Sequence, residues 1–171
     1  GKDYALWSLS ISICADNQAQ VAEAGGVQPL IDQLLDGRAG NQEQAAAALA
    51  RLAHNNGDMR IAITSQGGVR PLITLLGEFR QVEQVSVTVA GALANLAVEP
   101  EARDQIVVAG GIRHLVQLLH GDSRQAKNSA ATALARLSKD HEATQEAIAE
   151  AGAIEPLVSL LDGSEGPDVQ E

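Results

Sequence analysis

The sequence predicts an all-α solenoid built from three-helix units, with a period of about 42 residues. Two recurring motifs and one feature of composition point to it. Four segments align: Glu23-Ala-Gly-Gly-Val-Gln-Pro-Leu-Ile, Ser65-Gln-Gly-Gly-Val-Arg-Pro-Leu-Ile, Val108-Ala-Gly-Gly-Ile-Arg-His-Leu-Val and Glu150-Ala-Gly-Ala-Ile-Glu-Pro-Leu-Val. Their first glycines, Gly25, Gly67, Gly110 and Gly152, are separated by steps of 42, 43 and 42 residues. Between them runs Leu49-Ala-Arg-Leu, repeated as Leu93-Ala-Asn-Leu and Leu134-Ala-Arg-Leu, with Leu6-Trp-Ser-Leu near the start. Two motifs in phase over nearly the whole chain are the signature of a repeat architecture. Composition agrees. Apolar residues make up 45% but aromatics only 2%, so the core is built from Leu, Ile, Val and Ala. Alanine lets helices approach closely and is the best helix former.

The first helix of each unit is short: Asp16 to Ala24, Asp58 to Gln66, Glu101 to Ala109 and Glu142 to Ala151. Acidic residues open it, as suits the positive end of a helix dipole. An apolar residue, Val21, Ile63, Ile106 or Ile148, stands four positions before the glycine. The glycine ends the helix because it adopts a left-handed cap without strain. In the second helix Pro29, Pro71 and Pro156 fall in the first turn, where a missing N–H is harmless. His114 replaces the proline in one copy. The apolar ladder Val69, Leu72, Ile73, Leu75, Leu76 recurs from Ile112 and from Ile154. In the first copy the pair Leu34 and Leu35 comes one residue late, so a bulge or shifted helix end is expected near Gln33. Gly37, Gly40, Gly77 and Gly121 are read as turns into the third helix.

The third helix is the longest, at about Asn41–His54, Gln81–Val98 and Arg124–Ser138. Its expected buried face carries Ala45, Ala48, Leu49 and Leu52, and Ala130, Ala133, Leu134 and Leu137 in the last copy. Val85 to Val89 alternates like a strand, but register with the other copies overrides that pattern. A single unit cannot bury both faces of its helices, so stacked neighbours complete one core.

The net charge of −10 argues against nucleic acid, whose affinity comes from Lys and Arg neutralising phosphates. It argues equally against an anionic membrane surface. The longest uncharged stretch, Val85 to Val98, is too short to span a bilayer, so no direct membrane insertion is expected. Cys14 is the lone cysteine, which excludes an intramolecular disulfide and fits a reducing compartment, the cytoplasm or nucleus. His54, His114, His120 and His141 fall at different positions of the repeat without ligand spacing, so no metal is expected. The paired glycines lack the strand before and the Lys-Ser/Thr after them that a phosphate loop requires. No nucleophile motif is present. Neither enzymatic activity nor a cofactor is expected.

The Ala-Gly-Gly/Ala-Val/Ile-x-Pro-Leu-Val/Ile and Ala-Leu-x-x-Leu segments resemble the armadillo repeat over almost the whole chain. The resemblance implies a right-handed superhelix with three complete repeats, at residues 16–56, 57–100 and 101–140. A lone third helix at 1–15 would precede them, and the first two helices of a further repeat at 141–171 would follow. The chain then reads as a fragment of a longer array. Its open ends, carrying Leu6, Leu9 and Ile11 and Leu157, Leu160 and Leu161, are expected to support end-to-end self-association.

The resemblance also implies a protein or peptide partner lying extended along the third helices, its backbone held by an Asn on each. The matching positions are Ser8, Arg51, Asn95 and Arg136, of which Asn95 alone keeps the family residue. The arginines could fork onto carboxylates or phosphates. One turn earlier lie Ala47, Gly91 and Thr132, where the family's nuclear-import adaptors carry Trp. Their absence, with Trp7 elsewhere in its copy, argues against a basic import signal. His54, Asn55, Thr88, Asn128 and Lys139 are further candidates. With helices about 8–10 Å apart, four third helices span on the order of 30 Å. At ~3.4 Å per residue, that suits an extended segment of roughly eight to ten residues. The basic groove of an acidic chain points to a scaffold or adaptor for an acidic or phosphorylated peptide. Two blander readings stand beside it: the arginines only solvate a helix face, and Asn95 only bonds the neighbouring repeat. The function would then be structural or targeting, as in a ubiquitin-ligase substrate arm, a membrane-tethered anchor or a cytoskeletal spacer. A catalytic domain attached outside this segment is a third reading.

Overall fold

The computed structural model describes residues 5, 8, 9, 13, 17–36 and 38–162. Ala5, Ser8 and Leu9 are helical, and eleven helices follow, with no strand among the described residues. The first repeat is α1 (Gln18–Glu23), α2 (Val27–Asp36) and α3 (Ala39–Ala53). The second is α4 (Gly57–Ser65), α5 (Val69–Glu78) and α6 (Glu83–Leu96). The third is α7 (Pro100–Val108), α8 (Gly111–Leu119) and α9 (Arg124–Ser138). Then come α10 (Glu142–Glu150) and α11 (Ile154–Leu161).

The corner between first and second helices is the same in every copy. Gly25, Gly67, Gly110 and Gly152 have φ of 70°, 81°, 78° and 83°. The Gly67 amide donates to the Thr64 carbonyl and that of Gly68 to the Ile63 carbonyl, at 3.1 and 2.9 Å. This pairing satisfies carbonyls that a helix end otherwise leaves bare. The second glycine has a different reason. A Cβ on Gly68 would lie 2.8 Å from Ile63 Cγ2, and one on Gly111 would lie 2.5 Å from Ile106 Cγ2. The fourth copy has Ala153 there, and its amide sits further from the Ile148 carbonyl, at 3.3 Å.

Each third helix packs on the next, α3 on α6 and α6 on α9, with second helices alongside. One hydrophobic cluster runs from Ile13 to Ala153. The expected face is buried: Ala45, Ala48, Leu49 and Leu52, then Ala130, Ala133, Leu134 and Leu137. The strand-like stretch is helical, and Val85, Ser86, Val89 and Ala90 form its inner face. Ser86 Oγ donates to the Arg80 carbonyl at 2.9 Å, so its burial leaves no bare hydroxyl.

Several expectations are corrected. No bulge interrupts α2 near Gln33. Leu34 takes the buried place of Leu76, Gln33 stands half-buried in that of Leu75, and Leu35 points outward at 65% exposure. Continuing the helix keeps every backbone hydrogen bond, which outweighs burying one more leucine. Gly40 and Gly77 are not turns. Gly40 lies in the first turn of α3 and Gly77 in the last turn of α5. Gly77 is small for a packing reason, because a Cβ there would come within 3.0 Å of the His114 ring. Gly121 does lie in the loop between α8 and α9, and Gly37 falls outside the described residues. The third helix of the second repeat is shorter than expected, Glu83–Leu96, because residues 79–82 form the turn before it. Asp16 is also outside the described residues, and α1 has no acidic residue in its first turn, whereas Asp58, Glu101 and Glu142 open α4, α7 and α10.

At the far end, Ile154 is 58% and Leu161 86% exposed, against 7% and 2% for their counterparts Ile112 and Leu119. Leu157 and Leu160 are half-buried rather than open. Leu9 is half-buried too, while Leu6 and Ile11 lie outside the described residues.

Candidate functional site

Consecutive third helices present a shallow trough made of two adjoining hollows. The first is lined by Ala47, Arg51, Thr88, Gly91, Asn95, Thr132 and Arg136, seven of the residues expected from sequence. The second shares Arg51 and Asn95 and adds His54 and Asn55. Ser8, Asn128 and Lys139 line neither hollow. Ser8 and Asn128 are exposed, the latter with its carbonyl accepting from Thr132 Oγ1 at 2.9 Å. Lys139 caps the end of α9, and its carbonyl accepts from Arg103 at 2.9 Å.

Helix geometry explains the convergence. Side chains three or four apart on a helix share a face, which puts Ala47 and Arg51, Gly91 and Asn95, and Thr132 and Arg136 in file. The outer position of one file then leans on the preceding helix. Asn95 Nδ2 donates to the Ala50 carbonyl at 3.0 Å. Arg136 Nη1 donates to the Ala94 carbonyl at 2.7 Å and to Asn95 Oδ1 at 3.2 Å. Ala50 and Ala94 occupy the same place in their repeats, so these bonds form a ladder across the three helices. The Asn95 amide therefore serves the neighbouring repeat, and Arg136 is anchored by protein groups as well as facing the trough. One amide hydrogen of Asn95 and the remaining guanidinium N–H groups of Arg136 are additional donors.

The second hollow holds a further network. Gln18 Nε2 donates to the Arg51 carbonyl at 2.7 Å and to that of His54 at 3.3 Å, while Asn56 Nδ2 donates to Gln18 Oε1 at 2.9 Å. Asn56 Oδ1 accepts from the Met59 amide, capping α4. Asn55, with φ of 53°, turns the chain between α3 and α4, and Asp140, with φ of 57°, does the same after α9. Asn and Asp are the non-glycine residues that tolerate this conformation.

Sequence reasoning missed the polar Gln18, Asn56, Gln84 and Ser129 and the apolar Ile13, Ala50, Val87 and Ala94 as trough residues. Gln84 and Ser129 could have been found, since they lie seven before Gly91 and seven before Arg136, two turns along the same face. Gln18 sits on a first helix, and only packing brings it to the third, whereas Asn56 follows α3 directly in the chain beside Asn55. Among the residues lining both hollows none is Asp or Glu, and the charged ones are Arg51 and Arg136. Among the described residues no three His, Cys, Asp or Glu are grouped to hold a metal, and no helix is long and apolar enough to cross a membrane.

Stacked three-helix units with a shared core and an open trough define an α-solenoid repeat protein. The family model for the Armadillo/beta-catenin-like repeat matches residues 14–54 and 99–139. The chain belongs to the armadillo repeat family. It is 36% identical over 111 residues to Vacuolar protein 8 of Candida albicans, covering 65% of this chain and 18% of that protein. It superposes on computationally designed armadillo repeat proteins for modular peptide recognition with a TM-score of 0.85, at 30% identity over 98% of this chain and 69% of that one. A designed armadillo repeat protein in complex with the peptide (KR)4 gives a TM-score of 0.81, at 28% identity over 98% of this chain and 67% of that one. The chain spans 16% to 20% of the length of the curated relatives it matches.

Proposed function

We propose that these repeats are a non-enzymatic binding module that grips an extended, acidic or phosphorylated segment of a partner protein along the third helices. One observation carries the reading. The chain has 22 acidic and 12 basic residues, yet the described residues lining the trough include two arginines and no carboxylate. Charge on the rest of the surface repels an acidic ligand weakly through screened solvent, while guanidinium groups at contact distance bind it directly. The second amide hydrogen of Asn95, beyond the one given to Ala50, adds a donor for a peptide backbone. Contact along the trough suits a scaffold or adaptor, and a structural array that leaves its trough empty is the competing reading.

The test is titration of labelled acidic, phosphorylated and basic peptides of about ten residues by fluorescence anisotropy. Acidic or phosphorylated peptides bind, and affinity falls as salt rises. Arg51→Glu with Arg136→Glu lowers that affinity by about tenfold or more while helical content is kept. Equal binding of basic and acidic peptides, or indifference to the double reversal, would overturn the reading.

A further inference from the structure

The middle of the trough has no side chain of its own. At Gly91 a Cβ would meet nothing within 4 Å. Around it the hollow is lined by the small or apolar Ala47, Ala50, Val87 and Ala94, with the polar Gln84, Thr88, Ser129 and Thr132 among them. No aromatic residue lines this hollow. Beside it the Arg136 guanidinium is held by the Ala94 carbonyl at 2.7 Å and Asn95 Oδ1 at 3.2 Å, so its place is set before any ligand arrives.

Water over such a floor is readily displaced by an apolar group. The hollow is shallow and open, which favours a flat group over a branched one. An aromatic ring also draws the guanidinium to its face, which an aliphatic side chain cannot do. The same arginines attract an anion placed beside the ring. Both demands meet in one short stretch of ligand.

We infer that the trough over Gly91 is a subsite for an aromatic side chain flanked by an acidic residue in the bound segment. This rests on the acidic-segment reading above and adds to it the side chain that the centre of the trough selects. The ring covers Gly91, and the neighbouring carboxylate reaches Arg51 or Arg136. Chain without such a pair engages the rim alone.

The experiment uses the whole chain and a set of otherwise identical acidic peptides whose central residue is Phe, Leu or Ala. Phe binds about tenfold more tightly than Ala, with Leu clearly weaker than Phe. Gly91→Leu fills the floor, so Phe and Ala peptides then bind alike while dependence on the acidic residues persists. Gly91→Ala, a smaller change that favours the helix, keeps a reduced preference for Phe and controls for folding. Equal affinity of Phe and Ala for the wild-type chain overturns the subsite and leaves the acidic reading standing. So does Leu matching Phe, or a Phe preference that survives Gly91→Leu. Failure of every acidic peptide to bind, whatever its central residue, overturns both.

Discussion

Residues at the corners show two separate demands on glycine. Gly67 needs its left-handed φ of 81°, and Gly68 needs the space beside Ile63. Gly67→Ala is expected to lose about 1–2 kcal/mol in chemical denaturation, because a Cβ is strained in that region. The first demand was legible in the sequence as a recurring glycine at the helix end; the second appeared only with the packing of Ile63. The partnership of Gly77 with His114 was not legible either. Where three copies have proline, the third has a larger imidazole, and the facing residue of the previous repeat is glycine. His114 Nδ1 is buried there without a partner. Gly77→Ala should therefore change stability by less than about 1 kcal/mol, since crowding against His114 offsets the helix propensity gained. In a His114→Pro background the crowding is gone and the propensity gain remains, so a double-mutant cycle reads a coupling of ~0.5–1 kcal/mol or more. Additive effects would show that the two do not touch productively.

Helices in this chain end by borrowing from their neighbours. Gln18, Arg60, Arg103 and Gln145 hold one position of the first helix, and each reaches the closing turn of a third helix. Gln18 donates to the Arg51 carbonyl, Arg103 to that of Lys139 and Gln145 to that of Ser138. Arg60 donates to the Ala53 carbonyl at 3.4 Å and also pairs with Glu99 at 2.8 Å, where the chain passes from α6 to α7 without the extra left-handed residue found at Asn55 and Asp140. The pair is only partly shielded from water, so Arg60→Met should cost about 1 kcal/mol, measured by urea denaturation. The ladder through Asn95 joins one repeat to the next. Asn95→Ala removes one bond to Ala50 and an acceptor for Arg136, and should cost about 1–2 kcal/mol by the same measurement. Gly91→Ala runs the other way, raising stability by ~0.5–1 kcal/mol, since the helix gains and nothing is crowded. Sequence alone raised both readings of Asn95 and could not choose. That its amide reaches the Ala50 carbonyl depends on how far one helix sits from the next.

At the scale of the molecule, stability is shared between units rather than held within them. Ile112 and Leu119 on α8 are covered, whereas the equivalent Ile154 and Leu161 on α11 stand open. The difference is one of neighbours and not of sequence, because the two helices carry the same pattern. In a linear array the central elements have the most partners and the outer ones the fewest. Amide hydrogen exchange should accordingly be slowest in α6, which packs against both α3 and α9, and fastest in α11. Uniform protection along the array would contradict nearest-neighbour stabilisation.

The repeat period, the three-helix unit, the corner glycines and the buried faces follow from sequence, because each rests on spacing along one helix or on the backbone need of one residue. Seven of the trough residues were legible for the same reason: they recur three or four apart on the third helix. What tertiary structure decided lies between helices. It set Asn95 and Arg136 into a ladder, brought Gln18 to the trough, set Gly77 against His114 and turned Leu35 outward. These depend on distances between repeats of a few ångströms, which no one-dimensional pattern encodes.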